Sequence, residues 1–193
     1  MGPMIERLGR RLLVSFGSSA DWDQVAPTTR PAADARPLIE FVAYGEDCLF
    51  SGRLRLSAAR LTDMLNGHDE YELIDVMVEP LDGRTAAEVQ HVLVQRNELV
   101  LVHASGPRGS SDRRHRTRPH SLAIQLGPYH VRGHLHAPPG IDPVALIRRR
   151  AAMVPLTDAT IEFRVAGAWH RREAGTVIVN RDRVDWVMPD TGS

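Results

Sequence analysis

The segment Val92-Leu-Val-Gln-Arg-Asn97 decides the fold, because it recurs 85 residues later as Val177-Ile-Val-Asn-Arg-Asp182. Two earlier pairs of segments match in the same order, at offsets of 81 and 83 residues: Gly52-Arg-Leu54 with Gly133-His-Leu135, and Leu73-Ile-Asp-Val76 with Leu156-Thr-Asp-Ala159. An offset that drifts slowly in one direction is typical of short loop insertions. The sequence therefore predicts a tandem repeat of one structural unit.

Alternating apolar residues predict the strands of each unit. Cys48, Phe50 and Leu54 alternate with polar positions, which is the period of a half-buried strand, and residues 129–135 repeat the pattern. A tight turn at Arg96-Asn97 is expected to join its two flanking strands as a hairpin. Turn residues separate the other predicted strands, which are 38–44, 71–79, 89–95, 98–103, 121–126, 154–164, 177–179 and 183–187.

One short helix is predicted in each unit. In residues 57–67, apolar side chains recur at helical spacing and Asn66-Gly67 is a natural stop. In residues 142–150, Asp142 is a good N-cap and Pro143 suits the first helical position. Each unit then has the order β-β-α-β-β-β. We expect a mainly β protein with a minor α component, in which two such units form small bent sheets or partial barrels.

Composition divides the chain into four segments. These are residues 1–37, a flexible N-terminal arm; 38–104, the first β repeat; 105–120, an Arg-rich linker; and 121–189, the second β repeat. In the arm, apolar side chains recur at helical spacing from Ile5 to Phe16, which predicts a short amphipathic helix that could dock on a membrane or a protein. The rest of the arm has too little apolar surface to offset the entropy of ordering, so we expect a tether.

Short motifs within the units suggest a family. They are Phe50-Ser-Gly-Arg-Leu54 and Val131-Arg-Gly-His-Leu135 in two strands, Arg60-Leu-Thr-Asp-Met-Leu-Asn66 in the first helix, and Pro155-Leu-Thr-Asp158 at a strand start. With these motifs the chain resembles a functionally uncharacterised family of small bacterial β domains. The helix motif occurs only in the first repeat, and the strand-start motif is complete only in the second. The resemblance covers most of residues 38–188 and implies a duplicated β fold, but no activity.

The composition excludes several classes of chemistry. All 24 basic residues are arginine, so a Schiff-base lysine, a phosphate-loop lysine and a kinase strand lysine are absent. Cys48 is the single cysteine, which excludes an intrachain disulfide and a cysteine-rich zinc site. The 24 acidic residues balance the basic ones, which disfavours nucleic-acid binding mildly.

Hydropathy favours a cytoplasmic protein. No apolar run approaches the ~20 residues that cross a bilayer. The run Leu12–Val14 follows basic residues, as in a signal peptide, but is shorter than the apolar region that a signal peptide requires.

Three histidines form the sharpest chemical feature of the sequence. His130, His134 and His136 alternate along one predicted strand together with Arg132, so all four should project from one face of the sheet. Neutral imidazoles in this arrangement could bind a metal if an acid from a neighbouring strand completed the site. The equivalent positions of the first repeat hold Leu49, Ser51, Arg53 and Arg55. The repeat therefore does not require ligands there, and a solvated or interface face is the other interpretation.

The linker is a second candidate site. Its basic residues would attract phosphate groups in a salt-dependent manner, and they are Arg108, Arg113, Arg114, Arg116 and Arg118. No aromatic residue lies among them to stack bases, so a solvated connector is the other interpretation.

Other polar residues favour structural roles. Asp75 and Asp158 are equivalent in the two repeats, as are Glu79 and Glu162, and carboxylate pairs can act as acid and base. Because both copies keep them, we expect each Asp to cap a turn at its strand start and each Glu to face solvent. Cys48 alternates in phase with apolar neighbours, which predicts a buried thiol.

The sequence therefore favours a non-catalytic interaction or assembly module without a cofactor. Small bent sheets have open edges that invite pairing between chains, so we expect self-association or a protein partner. Trp169 and Trp186 are expected at strand edges or an interface. Two other functions remain open: a nucleic-acid-associated regulator that uses the Arg-rich linker, and a metal- or small-ligand-binding domain on the His130–His136 face.

Overall fold

The computed structural model describes residues 5–8, 12–15, 36–105 and 117–190, with side chains in the last two ranges. Within these residues the strands are β1 Ile5–Leu8, β2 Leu12–Ser15, β3 Leu38–Tyr44, β4 Cys48–Arg55, β5 Glu70–Pro80, β6 Ala87–Gln95, β7 Leu101–His103, β8 Arg118–Leu126, β9 Tyr129–Ala137, β10 Met153–Val165, β11 Ala168–Asn180 and β12 Trp186–Pro189. The α-helices are α1 Leu61–Gly67 and α2 Pro143–Arg149, and one-turn 3-10 helices span Arg96–Glu98 and Arg181–Arg183.

Ten of the strands form one antiparallel sheet. Their order is β12-β8-β9-β10-β11-β7-β3-β4-β5-β6. The first half of the chain supplies β3 to β7 and the second half supplies β8 to β12. In each half, the fifth strand lies beside the first, and the second, third and fourth follow. The predicted mainly β class is confirmed. Because the order has two ends, the sheet is open and not a closed barrel, and both halves belong to one sheet.

The two halves bury their cores on opposite faces of this sheet. They meet where β7 pairs with β11, with Val102 opposite Ile178 and Leu101 opposite Val179. Val102 and Ile178 belong to the first-half cluster, the apolar core that includes Phe50. Leu101 and Val179 belong to the second-half cluster, which is built around Tyr129 and Phe163. Neighbouring residues of a strand point to opposite faces, so one strand pair serves both cores.

Both halves carry a bulge at the same position. Asp75 in β5 and Asp158 in β10 have positive φ values of 50° and 49°. The pairing register shifts beside each, next to Gly52 and Gly133 on the adjacent strand. A Cβ atom on Gly52 would lie 3.0 Å from the Ile74 carbonyl oxygen, so the backbones approach too closely for a side chain. The aspartates therefore lie at bulges inside strands, and the predicted turn caps at strand starts are wrong.

The predicted hairpin across Arg96-Asn97 is also wrong. The Arg96 amide donates to the Asp69 carbonyl at 2.7 Å and the Leu99 amide to the Arg96 carbonyl at 3.2 Å, which makes one 3-10 turn. This turn carries the chain across the core, so that β7 pairs with β3 and β11 and not with β6. The second half does the same, and β12 pairs with β8.

The two helices agree with the sequence. The Asp142 carboxylate accepts hydrogen bonds from the amides of Val144 at 3.0 Å and Ala145 at 3.3 Å, as an N-cap does. Helix α1 buries Leu61 and Leu65. Neither helix in the described ranges has the length and apolarity that a membrane span needs.

The arm and the linker contain strands that the sequence did not predict there. An antiparallel pair, β1 with β2, replaces the predicted amphipathic helix. Gly9 interrupts the helical pattern, and the β-branched Ile5 and Val14 favour extended backbone. Strand β8 begins at Arg118, inside the predicted linker. The rest of the predicted tether and linker, residues 16–35 and 106–116, lies outside the described residues.

Candidate functional site

The three histidines lie on the face of β9 that points away from the second-half cluster. His130, His134 and His136 are each partly buried, whereas Val131 and Leu135 between them are fully buried. The alternation follows from the two-residue period of the strand.

Each histidine contacts a different residue of β10. Nδ1 of His130 lies 3.5 Å from a Glu162 carboxylate oxygen, and Nδ1 of His134 lies 3.7 Å from an Asp158 oxygen. Nε2 of His136 is 3.0 Å from the Thr157 hydroxyl. In the two ranges with described side chains, no three His, Cys, Asp or Glu side chains converge as metal ligands. The arrangement suits a ladder of cross-strand pairs and gives the metal hypothesis no support.

The duplicated acidic residues do not form an acid–base pair. Asp75 forms an ion pair with Arg53 on the adjacent strand of the first half, and Asp158 faces His134 in the second half. Glu162 lies 3.8 Å from the Arg171 guanidinium. Each of these carboxylates therefore has a cross-strand neighbour, as expected of a structural role.

Buried polar groups at the junction also have structural partners. The Tyr44 hydroxyl lies 3.0 Å from Nε2 of His103. Burial raises the pKa of Tyr44, and burial with the nearby Arg172 lowers the pKa of His103, so the pair is neutral. Burial, reinforced by Asp47, raises the pKa of Cys48 to about 12, which makes this thiol a poor nucleophile.

Of the predicted linker site, only Arg118 belongs to the described residues, where it is an exposed residue at the start of β8. Arg108, Arg113, Arg114 and Arg116 lie outside them. The nucleic-acid hypothesis therefore stays a prediction.

The two edges of the sheet form the site that the structure brings forward. Large exposed apolar side chains occur at six described positions: Leu38, Leu93, Ile141, Trp169, Trp186 and Met188. Half of them lie on the edge strands, since Leu93 belongs to β6, and Trp186 and Met188 belong to β12. Trp186 was expected at an edge. Leu93 was missed, because an apolar residue between Val92 and Val94 looks like part of a buried strand.

The edge strands also have backbone groups that point away from their neighbours in the sheet. The Arg96 amide donates to Asp69 beside β5, so by alternation the backbone groups of Leu93 and Gln95 point away from β5. The Asp190 amide donates to the Ser121 carbonyl beside β8 at 2.9 Å, so the backbone groups of Val187 point outward. No described strand pairs with these sides of β6 and β12, although β2 runs near β6.

The fold and the edges define a mainly β protein with one open, ten-stranded antiparallel sheet. No family model, curated protein or solved structure matches this chain. A function has to be argued from the residues themselves.

Proposed function

We propose that this protein is a non-catalytic assembly module that binds partner strands at the two edges of its sheet. The observation that carries the proposal is the location of Leu93, Trp186 and Met188, which are exposed on edge strands whose outer sides pair with no described strand. Backbone hydrogen bonds provide affinity in such a mode, and alternate side chains provide specificity.

A sheet edge with an exposed apolar side chain is unusual in a protein that has no binding partner at that edge. Natural sheets block their edges with charges, prolines, bulges or covering loops. Strand β6 instead has nine residues and keeps Leu93 54% exposed at its free edge. Burial of a leucine side chain contributes about 1.5–3 kcal/mol, so a strand that covers this edge would gain both apolar burial and hydrogen bonds.

The polar groups favour the same proposal. The histidines and carboxylates that could support chemistry face cross-strand neighbours, as His130 faces Glu162 at 3.5 Å. These contacts join neighbouring strands within the sheet. The two outer edges remain available for partner strands, as an assembly module requires.

Native mass spectrometry of the full-length protein tests the proposal. We expect multimers without additional mass, whose fraction rises with protein concentration over about a hundredfold range. Leu93→Asp should lower that fraction. Ile141→Asp is the matched control, because Ile141 is 44% exposed but lies off the edges, and it should leave the multimers unchanged. A strict monomer that carries a metal, a nucleotide or an oligonucleotide would replace this proposal with a ligand-binding one.

A further inference from the structure

Resting on the proposed function, we infer that the partner strand belongs to a second copy of this chain. Strand β6 of one molecule pairs with β12 of the next, in the register that already joins β11 to β7 within the molecule. The molecules then continue the sheet head to tail.

The strand order makes the two contacts equivalent. β11 and β6 are the fourth strands of their halves, and β7 and β12 are the fifth strands. An offset of 85 residues relates Val92-Leu-Val94 to Val177-Ile-Val179 and Leu101-Val-His103 to Trp186-Val-Met188. A fourth strand pairs with a fifth strand where β11 meets β7. The remaining fourth strand, β6, and the remaining fifth strand, β12, have no such neighbour among the described strands of the molecule.

Backbone directions agree at both contacts. At the internal junction, the Asn180 amide donates to the Val100 carbonyl at 2.9 Å, and the Ala104 amide donates to the Thr176 carbonyl at 3.0 Å. The backbone groups of Thr176 and Asn180 therefore point toward β7. By alternation, the backbone groups of Ile178, two residues from each, do the same. Leu93 is equivalent to Ile178, and its backbone groups point to the free side of β6. Pairing in the same register places Leu93 opposite Val187 of the next copy.

Apolar side chains on one face are exposed where a neighbour is missing. Ile178 is fully buried in the first-half cluster, which also contains the fully buried Leu99 and Val102. Leu93 at the equivalent position is 54% exposed. Val184 and Val187, equivalent to Leu99 and Val102, are only partly buried. A second copy's Leu93 would cover them as Ile178 covers their equivalents.

The opposite face shows the same difference. Leu101 is fully buried at the junction, whereas Trp186 at the equivalent position is 40% exposed. Trp186 would lie opposite Val94 of the second copy, as Leu101 lies opposite Val179.

An amide side chain is available to lock the new contact. At the junction, Nδ2 of Asn180 donates to the carbonyls of Leu99 at 2.8 Å and Arg96 at 3.2 Å, across the two halves. Its equivalent is Gln95, which binds the Glu70 carboxylate at the surface. In the assembly, Gln95 would reach the carbonyls of the equivalent 3-10 turn, which begins at Arg181.

Charge selects head-to-tail pairing over pairing of like edges. Residues 36–105 contain twelve acidic residues and six arginines, for a formal charge of −6. Residues 117–190 contain ten arginines and seven acidic residues, for a charge of +3. Strand β6 is the outermost strand of the acidic half in the sheet, and β12 is the outermost strand of the basic half. A β6–β12 contact therefore brings halves of opposite charge together. Pairing of β6 with β6 would join like charges.

Two residues keep the contact weaker than the internal junction. Pro189 has no amide hydrogen where the equivalent Ala104 donates one, and Asp185 occupies the position of the buried Val100. The contact is therefore reversible and grows with protein concentration. A head-to-tail contact produces an open chain of molecules unless its rotation closes a ring.

The test uses two full-length variants that each block one edge. Leu93→Glu blocks β6 and leaves β12 intact, and Val187→Glu blocks β12 and leaves β6 intact. Both new side chains are acidic, so the two blocked edges repel each other. Each variant alone should self-associate at least about tenfold more weakly than the wild type, because a charge would be buried in the contact. In a mixture of labelled Leu93→Glu with unlabelled Val187→Glu, the intact edges should meet. Native mass spectrometry should then detect a dimer with one copy of each and nothing larger.

Controls separate folding from pairing. Circular dichroism checks that each variant is folded, and Trp186→Glu replaces Val187→Glu if the latter is not. Ile141→Glu should associate like the wild type. Dimers of Val187→Glu alone would indicate β6–β6 pairing and overturn the inference. Unchanged association of both variants would also overturn it, although assembly itself would survive. A monomer with protected amides at Leu93 and Gln95 would show that β2, which runs near β6, covers the edge, and would overturn both proposals.

Discussion

The centre of the sheet and its two ends use the same backbone plan with different side chains. At the centre, Leu101 and Ile178 are fully buried, because β7 and β11 each have a neighbour on both sides. At the ends, the equivalent Trp186 and Leu93 are exposed. The difference shows that the position of a strand in the sheet decides, together with its sequence pattern, which of its apolar residues are buried.

The same comparison explains the histidine face. Leu49 of β4 is buried in the second-half cluster, because the first half packs there against the second. His130 is at the equivalent position of β9, near the free edge, where its ring lies 5.8 Å from the Trp186 ring. Tyr44 and Gln125 differ in the same way, with the aromatic residue at the buried junction. Polar residues thus occupy the face that has no intramolecular neighbour.

The largest expected loss of stability comes from a substitution at the centre of the sheet. Leu101→Ala should lower the free energy of unfolding by about 2–5 kcal/mol, because it leaves a cavity in the fully buried second-half cluster. Trp186→Ala at the equivalent position should cost less than about 1 kcal/mol at low protein concentration, since that side chain is partly solvated. Urea unfolding of both variants measures the difference. Equal losses would mean that Trp186 contributes as much to the folded monomer as the buried Leu101, and the contrast between the centre and the ends would fail.

The next largest loss of stability is expected at the two bulges, and it should be the same in both halves. Gly52→Ala and Gly133→Ala should each cost about 1–3 kcal/mol, because the added methyl group meets carbonyl oxygens at 3.0 Å from Ile74 and 3.2 Å from Thr157. Gly67→Ala is a control, since nothing lies within 4 Å of its Cβ position. Thermal unfolding should rank the two bulge variants together and below this control. A loss at only one of the two glycines would contradict a common bulge.

These bulges mark the boundary of what the sequence could predict. The period of two along Cys48, Phe50 and Leu54 predicted a half-buried strand, and Asp142 predicted a helix start, because both signals arise within a few residues. The role of Asp75 could not be read in this way, since a bulge depends on the approach of the neighbouring strand at Gly52. Residues 168–176 of β11 are mostly exposed and do not alternate, so only 177–179 had a strand signal.

The candidate site was predictable only in part. Open edges and an edge position for Trp186 followed from a small bent β fold. Which strands form the edges did not, because β7 crosses to β3 and β11 through a 3-10 turn that resembles a hairpin turn in sequence. Leu93 has the sequence of a core strand and became visible as an edge residue only once the strand order was known.

A smaller effect is expected at the amide that bridges the two halves. Asn180→Ala should cost about 1–3 kcal/mol, because it leaves the buried Leu99 carbonyl without its side-chain donor. Gln95→Ala should cost less than about 0.5 kcal/mol in the monomer, since Gln95 binds only Glu70 at the surface. Chemical unfolding at low protein concentration compares them. If Gln95→Ala were as costly, its side chain would already be part of a buried contact.

The smallest effect concerns pH at the junction. Burial, together with the nearby Arg172, lowers the pKa of His103 from its ordinary value of 6.5. The unfolded chain therefore binds a proton at this histidine more readily than the folded chain does. The stability that neutral His103 contributes is fully present above about pH 6.5 and is lost as the pH falls through the lowered folded-state pKa.

His103→Gln should remove that dependence and keep a side chain that can accept from the Tyr44 hydroxyl. The wild type should then lose more unfolding free energy than His103→Gln between about pH 7.5 and about pH 5.5. The difference between the two slopes is the measurement, because the other histidines titrate in both proteins. Parallel slopes would mean that His103 ionises as freely in the folded protein as in the unfolded chain. The Tyr44–His103 pair would then not be the closed, neutral contact that distinguishes the junction from the open edges.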